Sequence, residues 1–174
     1  MKEDLQELTE KEISRLRKLG RYREFANLSK RTTGLPVNIW VDDSQSYIQG
    51  HHAKRIKFQI NSGHTWVSTN KRETACMDLE GNVIEKTFNA KHAEITGKEI
   101  KAVSNFVKNN AEALELLSDE IIDISDFTQV MIKGGELCSP EVKQAKLKNL
   151  EELVDWAEAE IIRKELNYAK GIKR

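Results

Sequence analysis

Across residues 54–60 the chain alternates strictly. Ile56, Phe58 and Ile60 fall on one face of an extended strand, and Arg55, Lys57 and Gln59 on the other. Such period-two patterning buries one face and leaves the other charged. The pattern continues on both sides. Residues 37–41 (Val-Asn-Ile-Trp-Val) follow Pro36 as a short strand and stop at the turn residues Asp42, Asp43 and Ser44. Asn61-Ser62-Gly63 turns the chain again, and residues 64–69 continue as the next strand. Residues 73–79 and 83–88, around Glu80-Gly81-Asn82, read as a further hairpin. Residues 37–88 therefore predict an antiparallel sheet of four to five strands, with one apolar and one polar face.

Helical period flanks this region. Thr9 and Glu12 form a capping box, with Leu8 and Ile13 as its staple. Ile13, Leu16 and Leu19 mark an apolar stripe that Gly20 closes. A shorter helix carrying Tyr22, Phe25 and Leu28 is expected next. Downstream, Thr96 and Glu99 form a second capping box with Ile95 and Ile100 as staple, and Ile100, Val103, Val107 and Leu114 supply a buried face. Residues 127–132 read as a strand or a helix end, broken by Gly134-Gly135. Ser139-Pro140 is a strong helix start. Nothing stops that helix before about Tyr168, a length of roughly 40 Å at the helical rise. Leu147, Leu150, Val154, Ala157 and Ile161 follow 3-4-3-4 spacing, a coiled-coil-like seam. Such a seam either packs across its own sheet or joins two copies as a homodimer, and both alternatives stay open.

The expected fold class is α+β: an antiparallel four- to five-stranded sheet packed by a central helix, with a helical N-terminal segment and a long helical C-terminal flank. The segments are 1–33, 35–117, 118–138 and 139–174. A chain of 174 residues, 39% hydrophobic and 32% charged, suits one domain with a heavily charged surface. The first dozen residues are acidic and lack an apolar run, unlike a secretory signal. No stretch approaches the roughly 18 apolar residues of a membrane span, so a cytoplasmic protein without membrane partners is expected. Cys76 and Cys138 show no CxxC spacing and read as reduced, packed thiols.

Lys plus Arg equals Asp plus Glu, 28 each, so net charge says nothing of partners. Local charge does. Residues 15–31 hold Arg15, Arg17, Lys18, Arg21, Arg23, Lys30 and Arg31 against the single acid Glu24. Residues 51–72 hold Lys54, Arg55, Lys57, Lys71 and Arg72 with no acid. Residues 112–126 hold Glu112, Glu115, Asp119, Glu120, Asp123 and Asp126 with no cation. Either these blocks pair within the fold, or they present opposite fields to partners. In the second case Lys54, Arg55, Lys57, Lys71 and Arg72, with Arg15, Lys18, Arg21 and Arg23, form a partner-binding surface. Trp40, Tyr47 and Trp66 lie near enough in sequence to stack the bases of a single strand.

Three of the four histidines fall within residues 50–66. A metal site would draw on His51, His52 and His64 with Cys76 or His92. Adjacent histidines on a strand point to opposite faces, though, and no carboxylate lies between Gly50 and Lys71. Neither metal nor cofactor is expected. A ribonuclease-type toxin would use His52 and His64 as acid and base, with Lys54 and Arg55 on the phosphate. Turn positions account for the histidines equally well. The chain holds no GxGxxG, GxxxxGK[ST], GxSxG or HExxH.

An apolar strand ending in Asp42-Asp43, a segment bearing His51-His52 that enters the strand to Phe58, a Glu80-Gly81-Asn82 turn and a helix with Ile100, Val103, Val107 and Leu114 follow in that order. Over about residues 35–117 this order resembles a small bacterial domain of unknown function whose core reads Pro-Pro-His-Phe-His. The chain lacks the Pro-Pro pair and the His-x-His alternation. The resemblance implies a sheet with one helix against it and a toxin–antitoxin or mobile-element context, and no activity. The expected function is non-enzymatic binding of a nucleic acid or nucleoprotein partner. Its most specific form is a phage or mobile-element inhibitor of a CRISPR-type effector nuclease. A ribonuclease-type toxin and a structural homodimer are the alternatives.

Overall fold

A computed structural model describes residues 25–42, 54–61 and 73–169. The expected helix of residues 9–20, the His51-His52 pair and the expected strand of residues 64–69 lie outside these.

Among the described residues four antiparallel strands form one sheet in the order β1 (Phe25–Leu28), β2 (Ile39–Asp42), β3 (Arg55–Gln59), β4 (Thr74–Asp78). The register aligns Leu28, Ile39, Phe58 and Ala75 in one row, and Val41, Ile56 and Met77 in the next. All seven are buried. They form the apolar face that the alternation of β3 predicts.

Helix α2 (Gly97–Ser118) packs on that face, and the described residues form three further α-helices. Helix α1 (Lys30–Thr33) is a single turn between β1 and β2, and Ser29 caps it by accepting the Thr32 N–H. Helix α2 starts at the expected capping box: Thr96 accepts the Glu99 N–H at 3.1 Å, and Glu99 accepts the Thr96 N–H at 2.9 Å. Its Val103, Phe106, Val107 and Leu114 join the sheet residues in one core. Helix α3 (Ile124–Val130) adds Phe127 and Val130 behind a second capping box, Asp123 with Asp126. Helix α4 (Pro140–Ala169) starts where Ser139-Pro140 places it, with Ser139 Oγ accepting the Val142 N–H.

Four local expectations are corrected. Phe25 and Leu28, read as helical, belong to β1. Over so short a segment their spacing cannot distinguish the two periods, and pairing with β2 decides it. The second arm of the residue 73–88 hairpin is not a strand. Val83 makes one bridge to Met77, and the chain then enters a 3-10 turn, Glu85–Thr87. Thr87 Oγ1 holds that turn by donating to the Ile84 carbonyl at 2.6 Å and accepting the Cys76 N–H at 2.8 Å. The second face of the sheet is not a simple solvated surface, since Trp40 and Cys76 are each only 4% exposed there. Through Leu147, Leu150 and Val154 the seam of α4 packs against α2 and α3 rather than across the sheet, and the side chains of Ala157 and Ile161 lie outside those described. Leu150 is buried, and Leu147 and Val154 are half-buried. Past Val154 the exposed large apolar residues among those described are Trp156, Ile162 and Leu166.

Candidate nucleic-acid interface

The second face of β3 and β4 floors a cleft of about 780 Å³. Alternation puts Arg55 and Lys57 of β3 on this face, beside Thr74 and Cys76 of β4, with Lys57 opposite Cys76. Lys86, Thr87, Phe88, Asn89, Ala90 and Lys91 form the wall.

The wall is pinned at both ends. Thr87 ties it to Cys76, and the Ile84 N–H donates to the Cys76 carbonyl at 2.9 Å. At the far end the N–H groups of Glu94 and Ile95 both donate to the Ile60 carbonyl, at 2.7 and 3.0 Å. Asn61 Nδ2 donates to the His92 carbonyl at 3.1 Å. Between the pins, Asn89 Oδ1 accepts the Lys91 N–H and turns the chain. Phe88 is half-buried, packed against the core on one side and lining the cleft on the other.

Among its described lining residues the cleft carries charge of one sign. Arg55, Lys57, Lys86 and Lys91 line it, and no carboxylate is among the described lining residues. Asp78 lies opposite Arg55 at the end of the ladder. Like charges around a recess with low-dielectric walls concentrate positive potential and attract anions.

Lys54 lies apart from this cleft. Its Nζ sits 3.0 Å from Glu115 and 2.7 Å from Asp119, both near the C-terminal end of α2. Partial burial works against its charge, but the hydrogen bonds and charges of Asp119 and Glu115 outweigh it and raise its pKa above the ordinary lysine value. The basic and acidic blocks of the sequence therefore meet within the fold at this point. A second, looser contact joins Glu112 to Lys143 at 3.9 Å.

Of the expected partner-binding residues, the structure brings Arg55 and Lys57 together in the cleft and directs Lys54 to the carboxylates. Arg15, Lys18, Arg21, Arg23, Lys71, Arg72, His52 and His64 lie outside the described residues, as do Tyr47 and Trp66. Trp40 is too enclosed to offer a stacking surface. Among the described residues no group of three or more His, Cys, Asp or Glu side chains is arranged to hold a metal ion. Cys76 and Cys138 form no disulfide with each other, and the first is buried. Lys86, Phe88 and Lys91 were not singled out by the sequence pattern. The signal was present: between Glu85 and Glu94 the chain carries Lys86, Lys91 and His92 with no acid.

No helix among the described residues is long and apolar enough to cross a membrane. Comparison of the chain with protein-family models, with curated proteins and with solved structures finds no match.

Proposed function

We propose that the protein binds a single-stranded nucleic acid, free or exposed on a nucleoprotein complex, through the basic cleft. The convergence of Arg55, Lys57, Lys86 and Lys91 on one recess carries this reading. Lysine and arginine contacts to phosphates supply affinity without sequence preference. The exposed side of Phe88 offers a surface for one base, the combination that single-strand binders use. A recess of this kind takes an extended strand more readily than a duplex. In its most specific form the reading makes the protein a phage or mobile-element inhibitor that occupies a strand needed by a CRISPR-type effector nuclease. The small chain and its segregated charge support that form.

Fluorescence anisotropy with short labelled single-stranded RNA and DNA tests the proposal. Lys86→Glu with Lys91→Glu, both exposed, should weaken binding by tenfold or more and leave the thermal unfolding midpoint close to that of the parent. Binding unchanged by the double substitution would refute it. For the specific form, the parent protein should slow substrate cleavage by such a nuclease, and the double variant should not.

A further inference from the structure

The distal half of α4 carries a stripe unrelated to the basic cleft. Trp156, Ile162 and Leu166 are 62%, 56% and 54% exposed. At about 100° per residue, these three and Ala159 fall within a sector of roughly 120°. Leu147, Leu150 and Val154, which face α2 and α3, lie about 140° away around the same helix. The helix thus uses one side for its own fold and presents a second apolar side beyond it.

Charge on this half is polarised along the axis. Residues 151–162 hold Glu151, Glu152, Asp155, Glu158 and Glu160 and no cation. The sign then reverses at Arg163 and Lys164, and the sequence continues with Lys170, Lys173 and Arg174 against the single acid Glu165. Among the described residues of this half, Arg163 pairs with Glu160 at the junction.

We propose that two copies of the chain pair through this half of α4 as an antiparallel homodimer, with the two-fold axis near Ile162. Antiparallel pairing brings Trp156 of one copy to Leu166 of its partner. It also sets the acidic stretch of each helix beside the cationic stretch of the other, and opposes the two helix dipoles. Parallel pairing would place acid against acid and base against base. A closed two-fold interface of this sort is self-complementary by construction. An exposed tryptophan packed against aliphatic residues is common in interface cores.

Sedimentation of the full chain across the micromolar range tests this. The parent protein should show a reversible monomer–dimer equilibrium. Trp156→Asp with Leu166→Asp should shift it to monomer without lowering the unfolding midpoint of the monomer. Asp155→Lys with Glu158→Lys should remain monomeric alone, as should Arg163→Glu with Lys164→Glu, and an equimolar mixture of the two should restore the dimer. A parent protein that stays monomeric throughout, or a dimer that survives Trp156→Asp with Leu166→Asp, overturns the proposal. Failure of the mixture to associate overturns the charge pairing.

Discussion

The side-chain amide of Asn110 bonds both backbone groups of Ile132. Its Oδ1 accepts the Ile132 N–H at 2.6 Å, and its Nδ2 donates to the Ile132 carbonyl at 2.9 Å. A helix residue here does what a neighbouring strand would do. Its neighbours extend the arrangement. Asn109 donates to the Glu136 carbonyl at 2.8 Å and accepts the Cys138 N–H at 3.1 Å, and Asn105 donates to the Gly135 carbonyl at 2.9 Å. Gly135 lets the loop lie this close, since a Cβ there would sit 2.5 Å from Ala102 Cβ. The three asparagines hang the α3–α4 connection on α2, and thereby set where α4 starts. The helix departs from helical geometry at Asn110 itself, with φ −124°.

Asn110→Ala leaves two buried backbone groups without partners. The expected loss is about 2 kcal/mol, or roughly 4–8 °C in midpoint for a chain of this size. Calorimetry checks it. A change within error of zero would mean the amide contributes nothing.

Gly81→Ala should destabilise the protein by about 1–3 kcal/mol. Gly81 has φ +88°, and an added Cβ would lie 2.7 Å from Ser104 Oγ. That hydroxyl donates to the Gly81 carbonyl at 2.7 Å, so the turn after β4 is seated directly on α2. Ser104→Ala should cost less, about 1 kcal/mol. Urea unfolding of both variants gives the order.

Lys54→Met removes the link between β3 and the end of α2. The Lys54 side chain is 17% exposed, against 55% for Glu115 and 24% for Asp119. The expected cost near neutral pH is about 1 kcal/mol. The folded protein holds the Lys54 proton more tightly than the unfolded chain does. This stabilisation is therefore complete below the unfolded value of 10.5 and is lost as pH rises from there through the folded value. The gap between parent and variant in urea midpoint should hold from pH 7 to 10 and narrow beyond. A gap that widens in alkali would contradict the ion pairs.

The two halves of α4 should respond differently to truncation. Leu150→Ala opens space in the core and should cost about 2–3 kcal/mol. Trp156→Ala removes an exposed side chain and should change monomer stability by less than about 0.5 kcal/mol. Equal losses would mean that the distal half packs on the rest of the chain.

Much of the frame was legible in short patterns. The alternation of Arg55 to Ile60 gave the strand and its inward face, Thr96 with Glu99 gave the start of α2, and Ser139-Pro140 gave the start of α4. Each is a local signal whose physical cause lies within a few residues. What was illegible depends on distant partners. β1 exists because β2 is beside it, the strand expected after Val83 is diverted by the Thr87 hydroxyl, and the asparagines of α2 have meaning only once residues 132–138 are opposite. The site divides the same way. Arg55 and Lys57 were visible as the charged face of a strand, whereas Lys86 and Lys91 join them only through the hydrogen bonds to Cys76 and Ile60. Nor does charge counting reveal that Lys54 turns towards Asp119.

The most direct test of the basic cleft is the salt dependence of single-stranded RNA affinity. Each phosphate neutralised on a single strand contributes about −0.7 to the slope of log K against log salt. Engagement of the four cations predicts a slope near −3 for the parent protein and a shallower one, by about 0.7, for Lys86→Ala. A slope near zero, or one unchanged by that substitution, would contradict the cleft as the binding surface.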